Sequence, residues 1–183
     1  MRAARFAAPA RVGMVWSSMS EHAHHRQDVG SVGCAVITVS DTRTAENDRS
    51  GGRVRELLTE RGHRVEHYQI LKDEPAAIVA AIADVPQTVE VIIINGGTGL
   101  AVRDTTYEAV CRLLEKEITG FGELFRMLSY EQIGAGAMLS RATAGVAGKR
   151  MIFSLPGSTA AVELAMTKLI LPQLGHVAGL LRS

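Results

Sequence analysis

Val91-Ile92-Ile93-Ile94 is a run of four β-branched apolar residues that passes directly into Asn95 and Gly96-Gly97-Thr98-Gly99. No other stretch narrows the fold as much. Four apolar residues without alternation predict a strand buried on both faces, which is the situation inside a parallel sheet covered by helices. Parallel neighbours need crossover connections, so helices should precede and follow the strand.

The flanking sequence supplies them. "GCAVITV", residues 33–39, is bounded by Gly33 and the turn-rich "SDTRTAENDRSGG" and predicts a buried first strand. Ser50 is placed to cap a helix carrying Val54, Leu57 and Leu58 at helical spacing, and Gly62 to close it. "HRVEHYQIL" predicts the second strand. Pro75 suits the first turn of a helix whose apolar face is Ile78, Val79 and Ile82, before Pro86 stops it. After "VEVIIIN", Thr105 and Glu108 form a T-x-x-E capping box ahead of Ala109, Val110, Leu113 and Leu114. A shorter helix is expected over 123–133, then paired strands in "RATAGV" and "RMIFSL". A long helix from Ala161 is kinked or divided by Pro172. This order predicts a three-layer, doubly wound α/β domain: a mostly parallel sheet with helices on both faces and a mixed edge from the late strands.

Residues 31–183 are assigned to that domain and 1–30 to a disordered N-terminal tail. In the tail, Pro9 and Arg11 break any signal-peptide core, and His22, His24 and His25 belong to a solvated stretch rather than a metal site. Lys plus Arg total 20 against 19 Asp plus Glu, a net charge of +1 that offers no basic stripe for nucleic acid. No uninterrupted apolar run approaches the ~20 residues of a membrane span, so no membrane partner is expected. Cys34 and Cys111 have neither metal-ligand nor disulfide-framework spacing; both are expected to be small core residues in a reducing cytoplasm. A small-molecule ligand is the expected partner.

In open α/β sheets, ligands bind beyond the carboxyl ends of the strands. Those ends carry Ser40-Asp41-Thr42-Arg43, Lys72-Asp73-Glu74, Asn95 with the glycine loop, and Pro156-Gly157-Ser158. Gly96, Gly97 and Gly99 let the loop take positive φ and let a phosphate approach backbone N–H groups, while Thr98 adds a hydroxyl. Arg103 is suited to a bidentate phosphate contact and Asp104 to holding magnesium or orienting a reacting group. A tight turn with a surface ion pair would use the same residues, and neither the dinucleotide nor the P-loop fingerprint is present. The set says more than the loop alone. Asp41, Asp48, Asp73 and Asp104 beside a phosphate-ready loop make sense if a divalent cation sits between carboxylates and phosphates. Phe121 and Phe125, at i, i+4 spacing, are read as packing residues.

As a set, "TVSDTR", "NDRSG", "ILKDEPAAI", "NGGTGLAVRDTTYEAV", "GFGELFRMLSYEQIGAGAMLSRATAG" and "FSLPGS" resemble the MoaB/Mog proteins of molybdenum cofactor biosynthesis. The resemblance runs from Gly33 to Leu181. It implies an α/β domain that binds molybdopterin and adenylylates it with Mg2+ and ATP, giving adenylyl-molybdopterin and pyrophosphate. It implies that Asp73 and Asp104 are the catalytic, magnesium-holding pair. Ser40, Asp41, Asp48, Ser50, Gly96, Gly97, Thr98, Gly99, Arg103, Pro156, Gly157 and Ser158 would surround phosphates and adenosine, and Glu123 and Ser140 the pterin. It also implies a homo-oligomer, trimer or hexamer. The short chain looks closer to the MoaB branch, for which the second expected function is a non-catalytic carrier of molybdopterin or a related pterin.

Overall fold

The computed structural model describes residues 29–183. The expected disordered tail therefore lies outside the described residues, except for Val29 and Gly30; the Val29 N–H donates to Gly175 O at 3.3 Å. Six strands form one sheet in the order β2-β1-β3-β6-β5-β4. They are β1 (Gly33–Val39), β2 (Arg64–Leu71), β3 (Val91–Asn95), β4 (Lys116–Glu117), β5 (Thr143–Ala147) and β6 (Arg150–Leu155). β1 lies parallel between β2 and β3, β3 lies parallel to β6, and β5 runs antiparallel to both its neighbours. The doubly wound sheet and its mixed edge are as the sequence predicts.

Helices α1 (Arg49–Glu60), α2 (Pro75–Asp84), α3 (Thr106–Cys111), α4 (Thr119–Ile133), α5 (Thr159–Ala165) and α6 (Leu174–Arg182) cover the sheet. Strand alternation divides the core in two. Val36, Val91 and Ile93 face α1, α4, α5 and α6, whereas Ile37, Ile92 and Ile94 face α2 and α3. Both faces of β3 are buried, which is why its sequence shows no alternation. Phe121 stacks on Phe125 at 6.4 Å and meets Phe153 edge-on at 5.2 Å, so the phenylalanines are packing residues.

Several boundaries differ from expectation, each for a visible reason. Asp48, not Ser50, caps α1, accepting from the Gly51 N–H at 2.9 Å. The Thr105–Glu108 capping box does not form, because Thr105 Oγ1 donates to Asp73 and Glu108 pairs with Arg141. α4 begins at Thr119, four residues before Glu123. Gly62 closes α1 at φ +79° as predicted. Between α5 and α6 the helix widens into a π turn over Met166–Ile170 and tightens over Leu171–Gln173, so Pro172 does divide it. The whole stretch Thr159–Arg182 is long and apolar enough to cross a membrane by length and composition. Its apolar residues, from Val162 to Ala178, instead fill the core against α1, α4 and the sheet. Cys34 is buried, and burial pushes its thiol up to about 12; Cys111 is only partly buried.

Candidate functional site at the β1/β3 switch point

With β1 flanked by β2 and β3, the chain leaves β1 toward one side and crosses to the other before β3. The loops after these two strands part company, which opens a crevice at their carboxyl ends. A cavity of about 810 Å3 occupies that place. Ser40, Asp41, Ser50, Asp73, Gly96, Gly97, Thr98, Gly99, Arg103, Asp104, Ser140, Pro156, Gly157 and Ser158 all line it. Two predicted residues do not.

Asp48 is the first correction. Its carboxylate lies beneath the cavity, 5% exposed, and accepts from Thr38 Oγ1 (2.6 Å), Tyr68 Oη (2.8 Å) and the Gly51 N–H. Ser50 Oγ is 3.2 Å from Asp48 Oδ1 but donates over the shorter 2.7 Å to Asn95 Oδ1, and Asn95 Nδ2 donates to Thr38 Oγ1 at 3.0 Å. These groups form a closed ring joining the start of α1 to the ends of β1 and β3. Burial alone would raise the Asp48 carboxyl, but the bonds from Thr38, Gly51 and Tyr68 outweigh it and hold the pKa below the ordinary value. Asp48 supports the floor and has no capacity left for a ligand.

Glu123 is the second correction. It lies in a separate, smaller cavity of about 230 Å3 with Tyr107, Glu117 and Arg126. The reason is helical phase. Phe121 and Phe125 are buried in the core, and Glu123, two residues from each, is rotated by about 200° to the outer side. The same helix contributes Phe125, Ser129 and Ile133 to the main cavity, and the following turn contributes Gly136 and Leu139. The sequence reading missed this wall because its apolar residues look like ordinary helix packing.

The glycine loop is held for two different reasons. Gly96 and Gly97 take φ +101° and +63°, which favours glycine, while Gly99 has no positive φ and is small for space. A Cβ on Gly97 would lie 2.1 Å from Thr106 Oγ1 and 2.3 Å from Asp73 Oδ2; one on Gly99 would lie 2.5 Å from Asp104 Oδ2. Both carboxylates thus press against the loop. Asp104 accepts from the Ala101 N–H at 3.0 Å. Asp73 Oδ1 accepts from the Thr105 N–H (3.1 Å) and Thr105 Oγ1 (2.7 Å), but Asp73 Oδ2 is buried and has no hydrogen-bond partner. A buried carboxylate oxygen without a donor is costly unless something else meets it.

Arg103 pairs with Asp41 rather than with its neighbour Asp104: Nη2 donates to Oδ1 at 2.7 Å and Nε to Oδ2. That bond holds the Asp41 carboxyl below the ordinary value. The exposed pair joins the loops after β1 and β3 at the cavity mouth. Ser158 serves as the N-cap of α5, accepting from the Ala161 N–H, and Ser40 Oγ accepts from the N–H groups of Thr42 and Arg43. Ser140 Oγ is buried without a hydrogen-bond partner.

A probable molybdopterin binding domain matches residues 35–176. The chain belongs to this family. It is 53% identical to molybdenum cofactor biosynthesis protein B of Bacillus cereus over 162 residues, covering 87% of this chain and 96% of that protein. A crystal structure of a molybdenum cofactor biosynthesis protein B superposes with a TM-score of 0.81 at 54% identity, covering 83% of this chain and 96% of the other. The molybdopterin biosynthesis Mog protein from Mycobacterium ulcerans superposes with a TM-score of 0.73 at 28% identity, covering 82% and 99%. Within the MoaB/Mog family the chain is thus more similar in sequence to these MoaB-type proteins than to this Mog protein. In this chain the fold places two aspartates, Asp73 just after β2 and Asp104 in the loop after β3, against one glycine loop lining an 810 Å3 cavity.

Proposed function

We propose that this MoaB-type protein acts in molybdenum cofactor biosynthesis by binding molybdopterin and adenylylating it with magnesium-ATP. The observation that carries the reading is the buried, unpartnered Asp73 Oδ2, set against Gly97 in the cavity that Asp104 also lines. Among the described residues no three His, Cys, Asp or Glu side chains form a complete metal site. Two carboxylates suffice for magnesium that arrives with its nucleotide, because phosphate oxygens and water complete its shell. When bound, the ion would supply positive charge to offset the charge gathering on pyrophosphate.

The protein's own part is positioning. The N–H groups of the Gly96–Gly99 loop would receive phosphate oxygens, and Asp73 and Asp104 would hold the magnesium-nucleotide. The terminal phosphate oxygen of molybdopterin forms a bond to the α-phosphorus while the bond to pyrophosphate breaks. Ser140 Oγ offers the incoming ligand an unused hydroxyl. We assign Glu123 no role in this step.

A homo-oligomer, trimer or hexamer, goes with this reading. Leu124, Met127, Tyr130 and Ile133 make an exposed apolar face on α4 that continues into Met138 and Leu139. Residues 31–183 form the binding domain, and the free Cys34 and Cys111 suit a cytoplasmic site. The deciding assay supplies purified protein with molybdopterin, ATP and magnesium and looks for adenylyl-molybdopterin and pyrophosphate. Tight molybdopterin binding with no product would mean a carrier instead.

A further inference from the structure

Arg141 enters none of the roles above, yet its guanidinium makes more bonds than any other cation around the cavity. Nε donates to Thr98 O at 2.9 Å, Nη2 to Gly99 O and, at 3.4 Å, to Asp104 O, and Nη1 to Glu108 Oε1. Its charged carbon also sits 5.1 Å from the centre of the Tyr107 ring. Tyr107 and Glu108 both belong to α3, so that helix fixes the guanidinium plane while three carbonyls of one loop converge on its edge.

We propose that Arg141 is the positioning residue that sets the glycine loop and Asp104 for the nucleotide; this rests on the reading given above. In a trans peptide the C=O and N–H point in opposite directions. Drawing the carbonyls of Thr98 and Gly99 to Arg141 therefore turns the N–H groups of Gly99 and Leu100 away from it, to the side from which a phosphate can be received. Asp104 is fixed at the same time. Its carbonyl bonds to Arg141, and its carboxylate closes back onto the Ala101 N–H and Gly99. Arg141 also follows Ser140 directly, so one residue ties the α4 wall of the cavity to its phosphate wall. A rigid planar fork can serve these separate acceptors at once, and a lysine ammonium on a flexible stem cannot.

The test compares Arg141→Ala and Arg141→Lys with the wild type. Amide hydrogen exchange over residues 98–105 should quicken by about tenfold or more in both variants while β1 and β3 keep their rates, since local opening follows the bonds that hold a segment. In adenylylation assays with molybdopterin and magnesium-ATP, kcat should fall by about 10²-fold, in keeping with a misplaced catalytic group, and the apparent KM for ATP should rise less. Added guanidinium chloride at low millimolar concentration should restore part of the Arg141→Ala rate and none of the Arg141→Lys rate. Unchanged loop exchange in Arg141→Lys, the milder variant should alanine not fold, would overturn the proposal. So would normal kcat in either variant beside an active wild type. If the wild type neither binds ATP nor forms product, the functional reading fails instead, and the exchange rates still decide whether Arg141 sets the loop.

Discussion

Replacing Gly97 by alanine tests the loop with a single methyl group, and Gly62→Ala provides its control. Both residues lie at positive φ, +63° and +79°, where a Cβ costs ~1–2 kcal/mol. They differ in surroundings. A Cβ on Gly62 meets nothing within 4 Å, so that variant reads backbone strain alone. A Cβ on Gly97 falls 2.1 Å from Thr106 Oγ1 and 2.3 Å from Asp73 Oδ2. Thr106 is fully buried and Asp73 is 8% exposed, so neither can swing into solvent. Forcing extra volume into such a place costs a further ~1–3 kcal/mol, giving about 2–5 kcal/mol in total. At about 2–4 °C per kcal/mol for a domain of this size, Gly97→Ala should melt roughly 5–20 °C lower than the wild type.

Urea unfolding of the two variants, with calorimetric titration of magnesium-ATP, separates the terms. Gly62→Ala should lose stability and keep its nucleotide affinity, because it lies at the end of α1 away from the cavity. Gly97→Ala should lose more stability and also affinity, because the methyl displaces Asp73. The reasoning would be refuted if Gly97→Ala cost no more than Gly62→Ala, which would mean that Asp73 does not press on the loop. Equal ATP affinity in the two variants would remove Asp73 from the nucleotide site.

Asp104→Asn keeps an oxygen that can still accept from the Ala101 N–H, so urea unfolding should change by less than ~1 kcal/mol, whereas single-turnover adenylylation should slow by ~10²–10³-fold through loss of the charge. Normal turnover would make Asp104 a loop residue only. Asp48→Asn should behave in the opposite way, costing ~1–3 kcal/mol of stability at pH 7, because an amide NH2 must then face hydroxyls that donate to the carboxylate. Since the folded-state pKa of Asp48 is lowered, its contribution is fully present above the unfolded aspartate value of ~3.9 and disappears as pH falls through the lower folded value. The stability gap between wild type and Asp48→Asn, followed by urea unfolding from pH 7 downward, should therefore close only below that unfolded value; a gap constant throughout would show that charge is not what the ring uses.

The parts of this molecule legible in its sequence are those where one local pattern has one physical reading. Val91–Ile94 reads as a doubly covered strand, and the strand-helix alternation around it predicts a sheet whose carboxyl ends open into the cavity. Gly96 and Gly97 likewise declare positive φ. Where a short motif has competing partners, local reading fails. Thr105 and Glu108 have capping-box spacing, but a buried carboxylate and a guanidinium bind them more strongly than the helix end does. Arg141 gave no local signal, because three of its four acceptors are backbone carbonyls some forty residues away and a carbonyl looks the same in every sequence.

The four aspartates show most sharply what spacing cannot convey. Each follows a strand or precedes a helix, and by spacing alone each is an equally good ligand for a cation. Their fates are set by how many donors reach each oxygen. Asp41 is taken by the guanidinium of Arg103, and Asp48 is met by two hydroxyls and a backbone N–H. Asp104 keeps one bond, to the Ala101 N–H, and lies at the cavity edge. Asp73 divides its carboxylate: Oδ1 is saturated by Thr105, and this fixes the group so that Oδ2 remains buried, unpaired and held against the glycine loop. A carboxylate built only for stability would have both oxygens satisfied, as Asp48 does. Keeping one oxygen bare costs folding energy that the proposed cation would return, so the donor count separates the two aspartates proposed for catalysis from the two that hold the walls.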